Sequence, residues 1–231
     1  MTLAPGTLAR SGQRLARKAE PTYELLLSTL RQEPLVNADE TGWRIAGRGA
    51  WLWVFAGEGL TLYTIERRRS HEVAERVLGK DFAGILTCDC FLAYDPLPYR
   101  QHKCTGHFLR RCSELQADKQ GSAALLSLRV ARLLRGAMTL RECRGRLGEE
   151  SYQRACEKLE AALDRVLAEE QGDPDNARFV KLLKKHRSRV LTFLYVEGLE
   201  PTNNLGEREI RPEVVVRKIS GGNRGDRGSQ G

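Results

Sequence analysis

The sequence predicts a mixed α/β fold carrying an all-helical insertion, on three observations. Residues 35–66 hold three β-forming runs around Gly-containing turns. Residues 70–117 alternate helical and strand patterns. Residues 118–199 hold three apolar patches at spacings of 3 and 4 and no convincing strand.

Residues 1–34 read as a helical linker segment. A second helix is expected to begin at Pro21, a residue suited to a first helical turn. Leu25, Leu26, Leu27 and Leu30 give it an apolar side, and Pro34 ends it. Trp51-Leu52-Trp53-Val54-Phe55-Ala56 and Leu60-Thr61-Leu62-Tyr63-Thr64-Ile65 flank Gly57-Glu58-Gly59 and predict a β-hairpin. A strand ending at Asp39 completes a three-stranded antiparallel meander. Ser70 is placed to cap a helix over 71–79, with Val73, Ala74, Val77 and Leu78 inward and Gly79 at its stop. A buried strand over 84–88 ends at Asp89. A strand near 101–105 and a helix from about 106 to 117 follow, so that 35–117 forms the first part of the core.

In the insertion, Leu126, Val130 and Leu134 lie on one helical patch, Tyr152, Leu159 and Leu163 on another, and Phe179, Leu183 and Val190 on a third. Gly172-Asp173-Pro174-Asp175 is a turn between the last two. Thr202 or Asn203 then caps a helix that carries Glu207 in its first turns and that Pro212 interrupts or ends. Residues 200–220 thus form the last part of the core. The Gly-rich, charged stretch 221–231 is expected to be a flexible tail.

Composition limits what this fold can do. The net charge of +8 favours a polyanionic partner over an acidic one. No run approaches the roughly 18 apolar residues of a membrane span, and no signal peptide is recognisable, which points to a cytoplasmic protein. Six cysteines suggest no disulfide framework in such a chain.

Three carboxylates stand out: Asp39 and Asp89 at strand ends, and Glu207 at the start of a helix. Phosphoryl transfer on nucleic acid requires activation of a hydroxyl or water and stabilisation of the leaving oxygen. Two Mg²⁺ ions roughly 4 Å apart, held by carboxylate oxygens, do both. Taken singly, each residue is as well explained as a turn, cap or helix-dipole residue.

The pattern as a set is more specific. Asp39-Glu40-Thr41-Gly42-Trp43, Ala50-Trp51-Leu52-Trp53-Val54, Asp89 with Ala93-Tyr94, and Cys104-Thr105-Gly106-His107 resemble the insertion sequence 66 family of DDE transposases. So does the last block: Pro201-Thr202-Asn203-Asn204, Glu207-Arg208, Arg211-Pro212 and Arg217-Lys218-Ile219-Ser220-Gly221-Gly222-Asn223-Arg224. The resemblance implies a ribonuclease-H-like mixed sheet with the helical insertion before the last acidic residue, and DDE roles for Asp39, Asp89 and Glu207. It implies two Mg²⁺ ions, with Mn²⁺ as a substitute, and DNA strand cleavage and strand transfer. DNA is then the partner, as element ends and target, with homo-oligomerisation on DNA and association with a bacterial nucleoid. The family usually has a small residue, often Gly, where Cys90 follows Asp89. Its members are about twice as long, so the chain is expected to be a catalytic core truncated at its N-terminus. The alternatives are an inactive DNA-associating remnant and a stand-alone structure-selective nuclease.

Other clusters are weaker. Cys88, Cys90, Cys104 and His107 suggest zinc, but packed thiols are the default reading, because Asp89 alternates away from both flanking cysteines on a strand. His107 starts a helix and is either a residue that approaches the scissile phosphate or a cap. Trp43, Trp51 and Trp53 are expected in packing. Lys184, Lys185, Arg208, Arg211, Arg217, Lys218 and Arg224 are solvated or, beside a DDE site, contact DNA phosphates.

Overall fold

A computed structural model describes residues 5–223, and the stretch 224–231, including Arg224, lies outside them. The architecture is mixed α/β, with eight α-helices among the described residues and one five-stranded mixed sheet in the order β3-β2-β1-β4-β5. The elements are α1 (Pro5–Leu30), β1 (Leu35–Ile45), β2 (Arg48–Ala56), β3 (Thr61–Glu66), α2 (His71–Leu78), β4 (Ile85–Cys88), β5 (Arg100–Lys103), α3 (Thr105–Asp118), α4 (Ser122–Glu142), α5 (Glu149–Ala168), α6 (Pro174–Lys185), α7 (Arg187–Val190) and α8 (Asn204–Ser220). Chain contacts divide the molecule into two compact units, 1–100 with 203–231 and 101–202.

In the first unit β1, β2 and β3 pair antiparallel in sequence, the expected meander. β1 is longer than expected, because it continues past Asp39 to Ile45 and pairs throughout with β2. Ala46 and Gly47, with φ of 50° and 74°, form the two-residue connection. Positive φ at both central positions matches the right-handed twist of the flanking strands, and Gly47 supplies it without strain. Parallel pairing of β1 with β4 covers only Leu35–Asn37 against Ile85–Thr87. Asp39 therefore lies in mid-strand, yet just beyond the end of its parallel neighbour.

Side-chain alternation assigns the two faces of β1. Val36 and Ala38 join Trp53, Phe55 and Leu86 in a core with Leu27 and Leu30 of α1 and Val73, Ala74, Val77 and Leu78 of α2. Trp43 and Ile45, on the other face, join Leu52, Val54 and Ile210 of α8. The α2 face and its Gly79 stop, with φ of 82°, follow the sequence pattern, although Ser70 makes no side-chain cap.

Two helices run through prolines, Pro21 that was expected to start a helix and Pro212 that was expected to interrupt or end one. Pro21 lies inside the continuous α1, of which Leu27 and Leu30 are buried while Leu25 and Leu26 are exposed. Pro212 lies inside α8. A proline removes one i→i−4 bond and crowds the carbonyl four residues back. In α8 tertiary bonds carry the helix past it: the Tyr63 hydroxyl donates to the Glu209 carbonyl (2.9 Å), and Arg217 beyond the proline donates to Thr41 Oγ1 (3.0 Å).

The second unit is helical from α3 onward. Leu126, Val130 and Leu134 of α4, Tyr152, Leu163 and Val166 of α5, and Phe179, Val180 and Leu183 of α6 are buried. Asp173 does more than mark a turn: its Oδ1 accepts from the Asp175 (2.9 Å) and Asn176 (3.0 Å) amides and caps α6, with Pro174 at the first helical position. Lys119 bonds Asp173 and Asp175, both at 2.8 Å, and ties this cap to the end of α3. No described helix is long and apolar enough to cross a membrane.

Candidate metal centre

Alternation separates the adjacent carboxylates of Asp39 and Glu40. Residues 37, 39, 41 and 43 share the face along which α8 runs. Asn37 Nδ2 donates to Asn203 Oδ1 (2.9 Å), Arg217 donates to Thr41 Oγ1, and Trp43 Nε1 donates to Asn223 Oδ1 (2.6 Å). Asp39 lies within this row. Glu40 points to the opposite face and is buried there.

Asn203 sets the start of α8. Thr202 or Asn203 was expected to cap the helix; the Asn203 side chain makes no cap bond, and its Nδ2 donates instead to the Ala38 carbonyl (2.8 Å). A buried amide with both ends bonded to β1 fixes the first turn of α8 against the strand that carries Asp39. Gly206 makes room for it, since a Cβ there would stand 3.0 Å from Asn203 Oδ1. Glu207 follows directly. The far end of α8 is also held. Gly221 leaves the helix in the left-handed region (φ 71°), and Asn223 exchanges backbone bonds with Arg44 (2.9 Å) and Ala46 (2.8 Å). A Cβ on Gly222 would meet the Arg44 carbonyl at 2.3 Å, so only glycine lets the chain pass. Residues 221–223, expected to open a flexible tail, are thus bonded to the end of β1.

Asp89 follows β4 directly, and its Oδ1 accepts the Phe91 amide (2.8 Å), which turns the chain. The strand alternation expected across Cys88-Asp89-Cys90 therefore stops at Cys88. None of the six cysteines is bridged.

The Asp39 carboxyl feels the charges of both Asp89 and Glu207. The Asp39 carboxyl is pushed up to about 7, first by burial and then by the charge of Glu40; the Glu40 amide opposes this, and Asp89 and Glu207 add to the rise. Such a cluster concentrates negative charge that favours a cation. Hard oxygen donors of this kind suit Mg²⁺ or Mn²⁺, and Asp39, Asp89 and Glu207 are the residues that could hold such an ion.

The remaining sequence candidates are spread over both units. His107, on α3, belongs to the second unit, with a buried Nδ1 that lacks a hydrogen-bond partner. Lys184 and Lys185 are exposed at the end of α6 in that unit. Arg208, Arg211 and Lys218 are exposed on α8, Arg208 bonding its neighbour Glu209 (3.1 Å). Arg217 is half-buried and holds β1 through Thr41 and the Gly42 carbonyl, so its guanidinium already has a structural task. Asn37, Asn203 and Glu40 were not singled out as site residues. Asn203-Asn204 and Asp39-Glu40 stood in the quoted motifs, but only the strand register shows what the neighbouring positions do.

The profile of the Transposase IS66 family matches residues 1–231. "Uncharacterized protein y4qI" of Sinorhizobium fredii is 24% identical over 230 residues, which cover 85% of this chain and 42% of that protein. The chain thus spans less than half the length of this curated relative. Its match along the full profile decides its kinship: the chain belongs to the Transposase IS66 family.

Proposed function

We propose that this chain is the catalytic core of a DDE-type DNA transposase, with Asp39, Asp89 and Glu207 as its metal-binding carboxylates. The observation that carries this reading is that Asp39, on the strand face along which α8 runs, feels the charges of Asp89 and Glu207 from two other segments of the same unit, in a family of transposases. The strand order, with an antiparallel β1–β3 meander followed by a parallel β4, supports a ribonuclease-H-like frame. The corresponding domain reading takes 35–117 and 200–220 as core and 118–199 as helical insertion.

Two Mg²⁺ ions bound there would supply activation of water or a 3′-hydroxyl and neutralisation of the leaving oxygen. The protein's part is placement. β1 presents Asp39 beyond the end of β4, the turn at Asp89 aims the second carboxylate, and the Asn203 anchor brings Glu207 to the same face. Exposed Arg208, Arg211 and Lys218 on α8 are the phosphate contacts nearest in sequence to Glu207; Lys184, Lys185 and Arg224 are further ones. DNA ends and target DNA are the substrates.

The test is a cleavage assay on branched and end-sequence DNA with and without Mg²⁺. Metal-dependent nicking abolished by Asp89→Asn supports the reading. Nicking of branched DNA alone, without joining of 3′ ends, would favour a structure-selective nuclease instead.

A further inference from the structure

The parallel β1–β4 ladder ends at Asn37 and Thr87, before either Asp39 or Asp89. The spacing of these two carboxylates is therefore not fixed by strand pairing. On the reverse face of the sheet lies a buried group that spans the same gap. The Glu40 side chain is 1% exposed. Its Oε1 accepts two bonds from Arg69, from Nε at 3.0 Å and Nη2 at 2.6 Å. Its Oε2 accepts from the Tyr94 hydroxyl. Tyr94 and Phe91 belong to the segment that leaves Asp89. The Arg69 guanidinium lies 3.6 Å from the Phe91 ring centroid and 4.3 Å from that of Trp51 on β2. Trp53, across from Glu40 in the β1–β2 register, meets Tyr94 edge-on at 5.9 Å.

We propose that Glu40, bracketed by Arg69 and Tyr94, is a positioning residue that sets the separation of Asp39 and Asp89. The inference rests on the metal-centre reading given above. A planar guanidinium has one geometry that serves the carboxylate and the two rings together. The Tyr94 hydroxyl joins the segment after Asp89 to the residue after Asp39. With both oxygens of Glu40 engaged on the far face, the bracket supplies stiffness to the site rather than a further ligand. Groups that orient metal ligands from behind typically change metal affinity or activity 10- to 100-fold when removed.

The test uses the full chain with Glu40→Gln, Arg69→Lys and Tyr94→Phe, and the double variant Glu40→Gln/Tyr94→Phe. Tyr94→Phe keeps the ring packing, so it guards against simple misfolding; melting and circular dichroism confirm the fold of each protein. Calorimetric Mg²⁺ and Mn²⁺ titrations are paired with kcat and KM for metal-dependent nicking. The expected result is a roughly 10-fold or greater loss of metal affinity or kcat in each single variant, with KM for DNA unchanged. The double variant should lose no more than the worse single one, because the two groups act as a unit. Wild-type behaviour of folded Tyr94→Phe and Arg69→Lys would overturn the inference, leaving the metal-centre reading intact; if Glu40→Gln alone then lost metal, Glu40 would be a ligand. A wild-type chain that binds neither ion would overturn both.

Discussion

At the scale of the residue, Asp39 is a carboxyl group with a pKa of about 7, against 3.8 for an unconstrained one. Because the folded-state value is raised, its stabilising contribution is fully present below about pH 4. It is lost as the pH rises through about 7, where the folded protein must ionise a group crowded by other carboxylates. In metal-free protein, Asp39→Asn should therefore melt higher than wild type at pH 8, by the equivalent of about 1–2 kcal/mol. The difference should shrink toward pH 4. A bound divalent cation reverses this: wild type should gain stability with Mg²⁺ at pH 8, and the Asp39→Asn variant much less. Equal melting of the two proteins at pH 8 without metal would contradict a strained Asp39. Of the two carboxylates in Asp39-Glu40, sequence alone supplies both, and the register of β1 with β2 distinguishes their tasks.

At the scale of the element, α8 is placed by bonds along its length together with the buried Ile210, since Val215, Val216 and Ile219 are exposed. Asn203→Ala should destabilise the protein by about 2–3 kcal/mol, because it strips partners from the Ala38 carbonyl and the Asn37 amide. Nicking by the folded fraction should fall further than the lost stability explains, since Glu207 would no longer be held to β1. Gly222→Ala should destabilise by more than about 2 kcal/mol, as its Cβ would collide with the Arg44 carbonyl. Denaturant melts check both, and a change below about 0.5 kcal/mol would show that the two ends of α8 do not depend on these contacts. The sequence made much of this level legible. The meander, the inward face of α2, β4 and the helices of the insertion follow from alternation and from 3.6-residue spacing. What it misjudged came from tertiary bonds that override local rules. Pro21 and Pro212 look like helix boundaries until the chain is seen to continue past them, in α8 through bonds from other elements. β1 looks finished at Asp39 because the polar pair Asp39-Glu40 hides the pairing that β2 supplies. Gly221-Gly222-Asn223 looks like a tail because a glycine pair gives no hint that one of them is required by a close backbone approach.

At the scale of the whole molecule, a net charge of +8 and exposed basic side chains on both units suit a phosphate backbone more than a base sequence. DNA binding by this chain should therefore be weak, indifferent to sequence and steeply salt-dependent. About four phosphate contacts would weaken it roughly 100-fold between 50 and 200 mM salt. Titration of element-end and scrambled duplexes at both concentrations checks this, and a preference of several hundred-fold for the true end at the higher salt would show that the chain reads sequence. Asp39, Asp89 and Glu207 are proposed to bind metal as one centre, and calorimetric titration of Mn²⁺ into wild type, Asp39→Asn, Asp89→Asn and Glu207→Gln distinguishes one site from none. Saturable binding by wild type, weakened about 10-fold or more in each of the three variants, is the expected result; a Glu207→Gln variant that binds as wild type does would show that α8 contributes no ligand and that the three carboxylates are not one site.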